Sequence, residues 1–285
     1  MLKKTRLITI VVICSALMFL AIGSHAIQNV QGWMTNPTAK ATQMLLVTAK
    51  DWTSTVGTLQ RFERATPSKS WNKVGDKIDV NLGENGMGWG VGLHGTSLTP
   101  GPRVLEGSKM TPVGVFAITQ AFGKESGVEL GVKLAYKQIT ETVFCPDDMK
   151  SKFYNSLVDT KDTQKDWNSA EDMSEYMNAG FYTYGLIVNH NYDKPIAGRG
   201  SCFFLHASLG AVPTAGCTSF TPNLVKEVII WLDPQKNPVL VQLTESVYAQ
   251  FKGRWQLPKI EVSAPLLTVS KNGSVKVGGS VAKLN

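Results

Sequence analysis

The residues that could do covalent chemistry lie close together in one stretch. Cys202-Phe203-Phe204-Leu205-His206 is a short apolar run ending in a histidine, and Cys217 follows eleven positions on (217 minus 206). In an extended strand alternate residues share a face, so Cys202, Phe204 and His206 would line one side and Phe203 and Leu205 the other. Cys202 would stand about 13 Å from His206 at roughly 3.3 Å per residue, too far for a hydrogen bond. Between His206 and Cys217 lie Gly210, Pro213 and Gly216, a composition that lets the chain turn back and bring the second thiol against the strand end. A thiol must lose its proton before it can attack a carbonyl, and a neighbouring histidine can take that proton and pair with the thiolate. Backbone amides of Gly216 and Thr218 could hold the oxyanion of an acyl transfer. Gly216 has no side chain to keep a substrate from the backbone. Taken alone, one cysteine and one histidine favour the plainer reading of a buried or disulfide-bonded cysteine and a hydrogen-bonded core histidine. His94, in His94-Gly95-Thr96, is the runner-up base, and His190, at the end of an apolar run, reads as structural. No cluster has metal-ligand spacing, and no cofactor is expected.

The elements that must position this pair are mainly strands. Met44 to Thr48, Thr53 to Phe62, Val74 to Val80, Val113 to Thr119, Tyr184 to Asn189, Cys202 to His206 and Val239 to Leu243 read as β-type runs. Glycines between Leu82 and Gly95 indicate tight turns and close backbone packing. Thr221-Pro222 starts a helix, with threonine as cap and proline in the first turn. Leu224, Val225, Val228 and Leu232 then recur at helical spacing, and Asp233-Pro234 ends it. The amino end of that helix would add positive potential to the site if it points there. Residues 141–175 carry nine acidic residues and four lysines, which suits a solvated face or a lid. Ser169 to Met177 looks helical, with Ser169 as cap. The fold class is mainly β with a few helices.

The ends of the chain bear on compartment. Lys3, Lys4 and Arg6 precede an apolar run from Leu7 to Ile22, and Ser24-His25-Ala26 supplies small residues at the cleavage positions. Residues 1–26 therefore read as a signal peptide, with periplasm, cell envelope or exterior as destination and no stable membrane span after cleavage. Residues 27–42 read as a spacer, 43–250 as the main domain, and 251–285 as a basic tail in which Lys271-Asn272-Gly273 could turn a hairpin. Among 285 residues 43% are hydrophobic, enough for a core, and the formal charge of +7 suits an anionic surface such as a cell wall. Export argues against nucleic acid as a partner and permits disulfides. With Cys14 removed in the leader, Cys145, Cys202 and Cys217 remain, an odd number that leaves one thiol free or paired outside the chain.

Several ordered blocks resemble the catalytic domain of the L,D-transpeptidase (YkuD-type) family. They are Glu106-Gly107-Ser108-Lys109-Met110-Thr111-Pro112-Val113-Gly114-Val115-Phe116, Gly200 to His206, Pro213-Thr214-Ala215-Gly216-Cys217-Thr218 and Trp231-Leu232-Asp233-Pro234. Cys145-Pro146-Asp147-Asp148 with Ser151, Tyr154 and Asn155 is similar to one branch. The resemblance covers roughly residues 43 to 244. It implies a β-sandwich or barrel-like domain with Cys217 as nucleophile and His206 as base. It also implies that peptidoglycan stem peptides are the substrate, and that Thr214, Ser219, Tyr154 and Asn155 are candidates for the substrate pocket. The implied reaction forms a thioester with a tetrapeptide stem and transfers it to an amine. With water as acceptor it is an L,D-carboxypeptidase, and a non-catalytic wall-binding protein is the remaining alternative. With Cys217 assigned on this resemblance, a Cys145–Cys202 disulfide is expected. The commoner form of the family has a histidine before the Gly-Cys pair and an arginine two residues after the cysteine; here those positions hold Ala215 and Ser219.

Overall fold

Seven consecutive residues, Gln43–Ala49, form a strand (β1) with every side chain but one buried, and Val239–Thr244 is buried throughout. Runs of this kind belong in the middle of a sheet covered on both faces. The computed structural model describes residues 36–96 and 100–261, together with 268–269 and 275–276. The leader, its Cys14 and the Asn-Gly turn lie outside the described residues.

After β1 come β2 (Val56–Glu63), β3 (Asn72–Asn81), β4 (Met87–Trp89), the two-residue β5 (Val91–Gly92) and β6 (Gly95–Thr96), β7 (Thr111–Ala117), β8 (Gln120–Gly123) and β9 (Ala135–Gln138). A small unit follows: β10 (Val143–Pro146), β11 (Val158–Asp159), β12 (Ala170–Asp172) and helix α1 (Met173–Asn178). Then come β13 (Tyr184–Ile187), β14 (Phe204–Ala207), β15 (Thr218–Phe220), α2 (Pro222–Trp231), a 3-10 turn, β16 (Val239–Thr244) and α3 (Glu245–Phe251). Thr268–Val269 (β17) and Val275–Lys276 (β18) pair antiparallel, the arrangement expected of the tail hairpin.

Eleven strands make one mixed sheet in the order β4-β7-β16-β1-β2-β3-β15-β14-β13-β8-β9. Its two halves face each other. Thr218 on β15 donates to Gln242 on β16, four strands away in that order, and Thr111 on β7 donates to the Cys217 carbonyl. The sheet therefore curls over its core, and these buried polar contacts tie its halves together. Register places Phe122, Gly185, His206, Ser219 and Asn81 in one row across β8, β13, β14, β15 and β3.

Several local expectations are corrected. Cys202 is not in the strand: its φ of 56° is left-handed, its amide donates to Asn155 Oδ1, and β14 starts at Phe204. The helix expected over 169–177 is α1, capped by Asp172, whose carboxylate accepts the amides of Ser174 and Glu175; Ala170–Asp172 pairs with β10 instead. Thr221 makes no side-chain cap, and Pro222 opens α2 without needing one. Residues 36–42 are not spacer. Thr38 and Ala41 are buried, and Arg64 donates to both of their carbonyls. The boundary at 250 falls inside α3, and the chain beyond packs through buried Trp255 and Leu257, with Tyr248 donating to the Pro258 carbonyl.

Candidate active site

Cys217 immediately precedes β15, which runs parallel to β14 with Leu205 opposite Thr218 and His206 opposite Ser219. That register sets Cys217 beside Phe204, and the Phe204 amide donates to its sulfur at 3.4 Å. His206 stands two residues along β14 on the same face. Adjacent strands lie about 4.8 Å apart and two residues span about 6.6 Å, so the two Cα atoms are roughly 8 Å apart on the diagonal, within reach of a cysteine and a histidine side chain. Gly185 and Ser219 flank His206 in the sheet, and the Phe122 ring fills the space over Gly185.

Both side chains line one cavity of about 360 Å³, whose walls include Glu106, Lys109, Asp147, Glu171, Tyr176, Tyr182, Ser208, Thr214 and Ser219. Cys217 is 8% and His206 6% exposed, so the pair sits at the floor of the cavity. Cys217 is a free thiol, while Cys145 and Cys202 form a disulfide, the pairing expected above. The disulfide joins β10 to the segment entering β14.

His206 Nδ1 lies 2.7 Å from the Ala207 carbonyl, which requires the proton on Nδ1 and leaves Nε2 as the basic nitrogen of the neutral ring. Burial pushes its pKa down to about 4 against the carbonyls of Ala207 and Phe181, which favour the charged form. Burial pushes the Cys217 thiol far up, and the charge of Glu171 pushes it further; the Phe204 amide and the Tyr182 hydroxyl oppose this. The resting pair is thus a neutral thiol and a neutral imidazole, not the expected ion pair. Among the described residues the sulfur's hydrogen-bond partners are the Phe204 amide and the Cys202 carbonyl, at 3.7 Å, rather than His206.

Other expectations change on inspection. The Gly216 amide is taken by Thr214 Oγ1, so it is not an oxyanion donor. Gly216 is glycine for packing: at φ 132° an added Cβ would lie 2.7 Å from the Phe203 ring. The Thr218 hydroxyl serves Gln242 in the core. Thr214 lines the cavity, but its hydroxyl proton holds the Cys217 carbonyl at 2.6 Å. Ser219 faces the cavity and accepts from Asn81. Tyr154 stands behind the wall, donating to Glu106, which also accepts from Ser201. Asn155 is structural: its amide nitrogen donates to the carbonyls of His190 and Asn191 and its oxygen holds the Cys202 amide.

The amino end of α2 is separated from Cys217 by the extended β15, about 10 Å of chain at 3.3 Å per residue, and a helix dipole fades within a turn. His94 is no base for this site. It is buried among Trp89, Phe116 and Trp255, and its Nδ1 accepts the Val115 amide. His190 is structural as expected, with Nδ1 accepting from Val91 and Nε2 facing the Arg199 carbonyl.

Sequence reasoning missed Glu171 and Tyr182. Tyr182 donates to Glu171 at 2.6 Å, and its ring meets the His206 ring edge-on at 5.0 Å. Glu171 sits in the charge-rich run that reads as solvated, and nothing local separates it from its exposed neighbours. No group of His, Cys, Asp or Glu among the described residues could hold a metal ion, and no described helix is long and apolar enough to cross a membrane. Comparison with family models, curated proteins and solved structures finds no match for the chain.

Proposed function

We propose that the protein is an exported cysteine acyltransferase of the L,D-transpeptidase type that acts on peptidoglycan stem peptides. The observation that carries the proposal is Cys217, the one free thiol among the described residues, sharing one face and one cavity with His206 while Cys145 and Cys202 are locked together. The ordered sequence blocks supply the substrate class, and the curled, mainly β domain is compatible with the family's barrel-like fold.

Because the resting thiol and imidazole are both neutral, proton transfer accompanies attack rather than preceding it. The Cys217 S–H proton passes to His206 Nε2 as the sulfur bonds to the carbonyl carbon after the L-centre of the third stem residue. The carbon–nitrogen bond then breaks, the terminal D-residue leaves with the proton from His206, and a thioester remains. An amine of a second stem attacks that carbonyl, loses its proton to His206 and expels the sulfur, which regains a proton. If water takes the amine's place, the same steps make a carboxypeptidase.

Purified tetrapeptide stems incubated with the wild type should lose the terminal residue or gain a 3–3 linkage by mass spectrometry, and Cys217→Ala should do neither. The protonated thiol, bonded to backbone rather than to His206, favours one rival, a non-catalytic wall-binding protein. Intact stems, with no covalent carbapenem adduct on Cys217, would leave that rival standing.

A further inference from the structure

The cavity contains a pair of residues that the proposed reaction does not use. Tyr182, in the segment before β13, and Glu171, on β12, approach Cys217 together. A phenol has one proton. Here Tyr182 Oη gives it to Glu171 Oε2 at 2.6 Å, while the same hydroxyl is the side chain that stabilises the thiolate form of Cys217. In this arrangement the proton is on the Glu171 side, and the sulfur's donor is the Phe204 amide. The Tyr182 ring is held in place by edge-on contacts with Phe122, Phe204 and His206, so the hydroxyl has little freedom to leave either acceptor.

We infer that Tyr182 is a positioning residue for Cys217, its hydroxyl proton held by Glu171 while that carboxylate is charged and released to the sulfur when it is neutral. In the first condition the sulfur has the Phe204 amide but not the Tyr182 hydroxyl as donor and faces a like charge, so it stays a thiol. In the second, Tyr182 donates to the sulfur and the repulsion is gone. The proton that leaves the thiol during attack still goes to His206; Tyr182 supplies only a hydrogen bond.

The surroundings of Glu171 place its own titration where it matters. Desolvation raises its pKa to about 7, the Tyr182 hydrogen bond lowers it, and the carboxylates of Asp147 and Glu106 raise it. Tyr176 also faces it, and Lys109 and His206 are the basic groups of the same cavity. The sign follows directly: below about pH 7 Glu171 is neutral and the restraint is off, and above it the restraint is on.

The inference takes from the proposed function only that Cys217 is the reactive group, and its test reads thiol chemistry rather than stem cleavage, so either can fail alone. The measurement is the rate of iodoacetamide alkylation, mapped to the peptide containing Cys217, from mildly acid through alkaline pH for the wild type, Glu171→Gln and Tyr182→Phe. Glu171→Gln should react about tenfold faster than wild type on the alkaline side, the change expected of a thiol pKa lowered by one unit, and converge with it on the acid side. Tyr182→Phe, which keeps the carboxylate but has no hydroxyl, should be slower than wild type on the acid side. Opposite responses distinguish control of the sulfur from a loosened fold, which would speed both variants. A Glu171→Gln profile that overlays the wild type, a Tyr182→Phe rate at least equal to wild type, or acceleration of both overturns the inference.

Discussion

Burial rather than charge pairing governs the resting chemistry of Cys217 and His206. Enclosure makes ionisation costly for both groups, so the sulfur keeps its proton and the imidazole stays neutral. A neutral imidazole with its Nδ1 proton fixed on the Ala207 carbonyl is ready to accept a proton at Nε2, which is what a general base for the thiol requires. His206→Gln retains a polar group at the site but cannot shuttle a proton. It is expected to lower kcat on stem peptides by about a hundredfold or more with KM little changed, as steady-state kinetics would record. The thiol and histidine were legible in the sequence because few residue types do this chemistry and the glycine-bearing loop between them permits a return. The hydroxyls and amides around them were not. Thr214 and Asn155 look like substrate contacts, yet each is spent on backbone partners, and only tertiary structure assigns such partners.

At the scale of elements, the parallel pairing of β14 with β15 brings Cys217 and His206 onto one face. The apolar runs predicted their strands to within about three residues because burial on both faces needs uninterrupted hydrophobic sequence. The expected two-faced pattern around His206 also appears in the packing. Phe203 and Leu205 join one core cluster, Phe204 and Cys202 the other. The small sheet β11-β10-β12 was not legible. Its strands are only two to four residues long, and their pairing depends on contacts distant along the chain. That unit is fastened to β14 by the disulfide, which spans a sequence separation of 57 residues. A loop of that size constrains the unfolded chain by about 4 kcal/mol. Urea denaturation of Cys145→Ser/Cys202→Ser should show a loss of that order in unfolding free energy, and an unchanged midpoint would mean that the unit is held by packing alone.

At the scale of the whole molecule, two further histidines among the described residues have no part in the proposed chemistry yet bear on its behaviour in acid. His94 and His190 are 3% and 1% exposed, and burial lowers the pKa of each to about 4. In the unfolded chain both would titrate near the ordinary value of 6.5. Between those values the unfolded state binds protons that the folded state refuses, so stability is full above pH 6.5 and is lost as the pH falls towards 4. Each group contributes about 3 kcal/mol to that loss at 1.36 kcal/mol per unit. Thermal melts over this range should fall steeply for the wild type and less steeply for His94→Gln, whose amide oxygen can still accept the Val115 amide. An equal slope in both would remove His94 from the account. The curl of the sheet that encloses these rings was not legible in the sequence, since Gln242 and Thr218 are separated by 24 positions and meet only because the two halves close.

The position of Cys202 has a consequence for how the protein must be made. Its sulfur is held by Cys145, but its carbonyl lies against the Cys217 thiol, so the chain threads the same residue between its disulfide partner and the free thiol. Oxidative maturation has to pick Cys145 first. A chain that kept Cys202 reduced while an oxidant was present would carry a second thiol in the same buried cluster as Cys217, and so a rival partner for it.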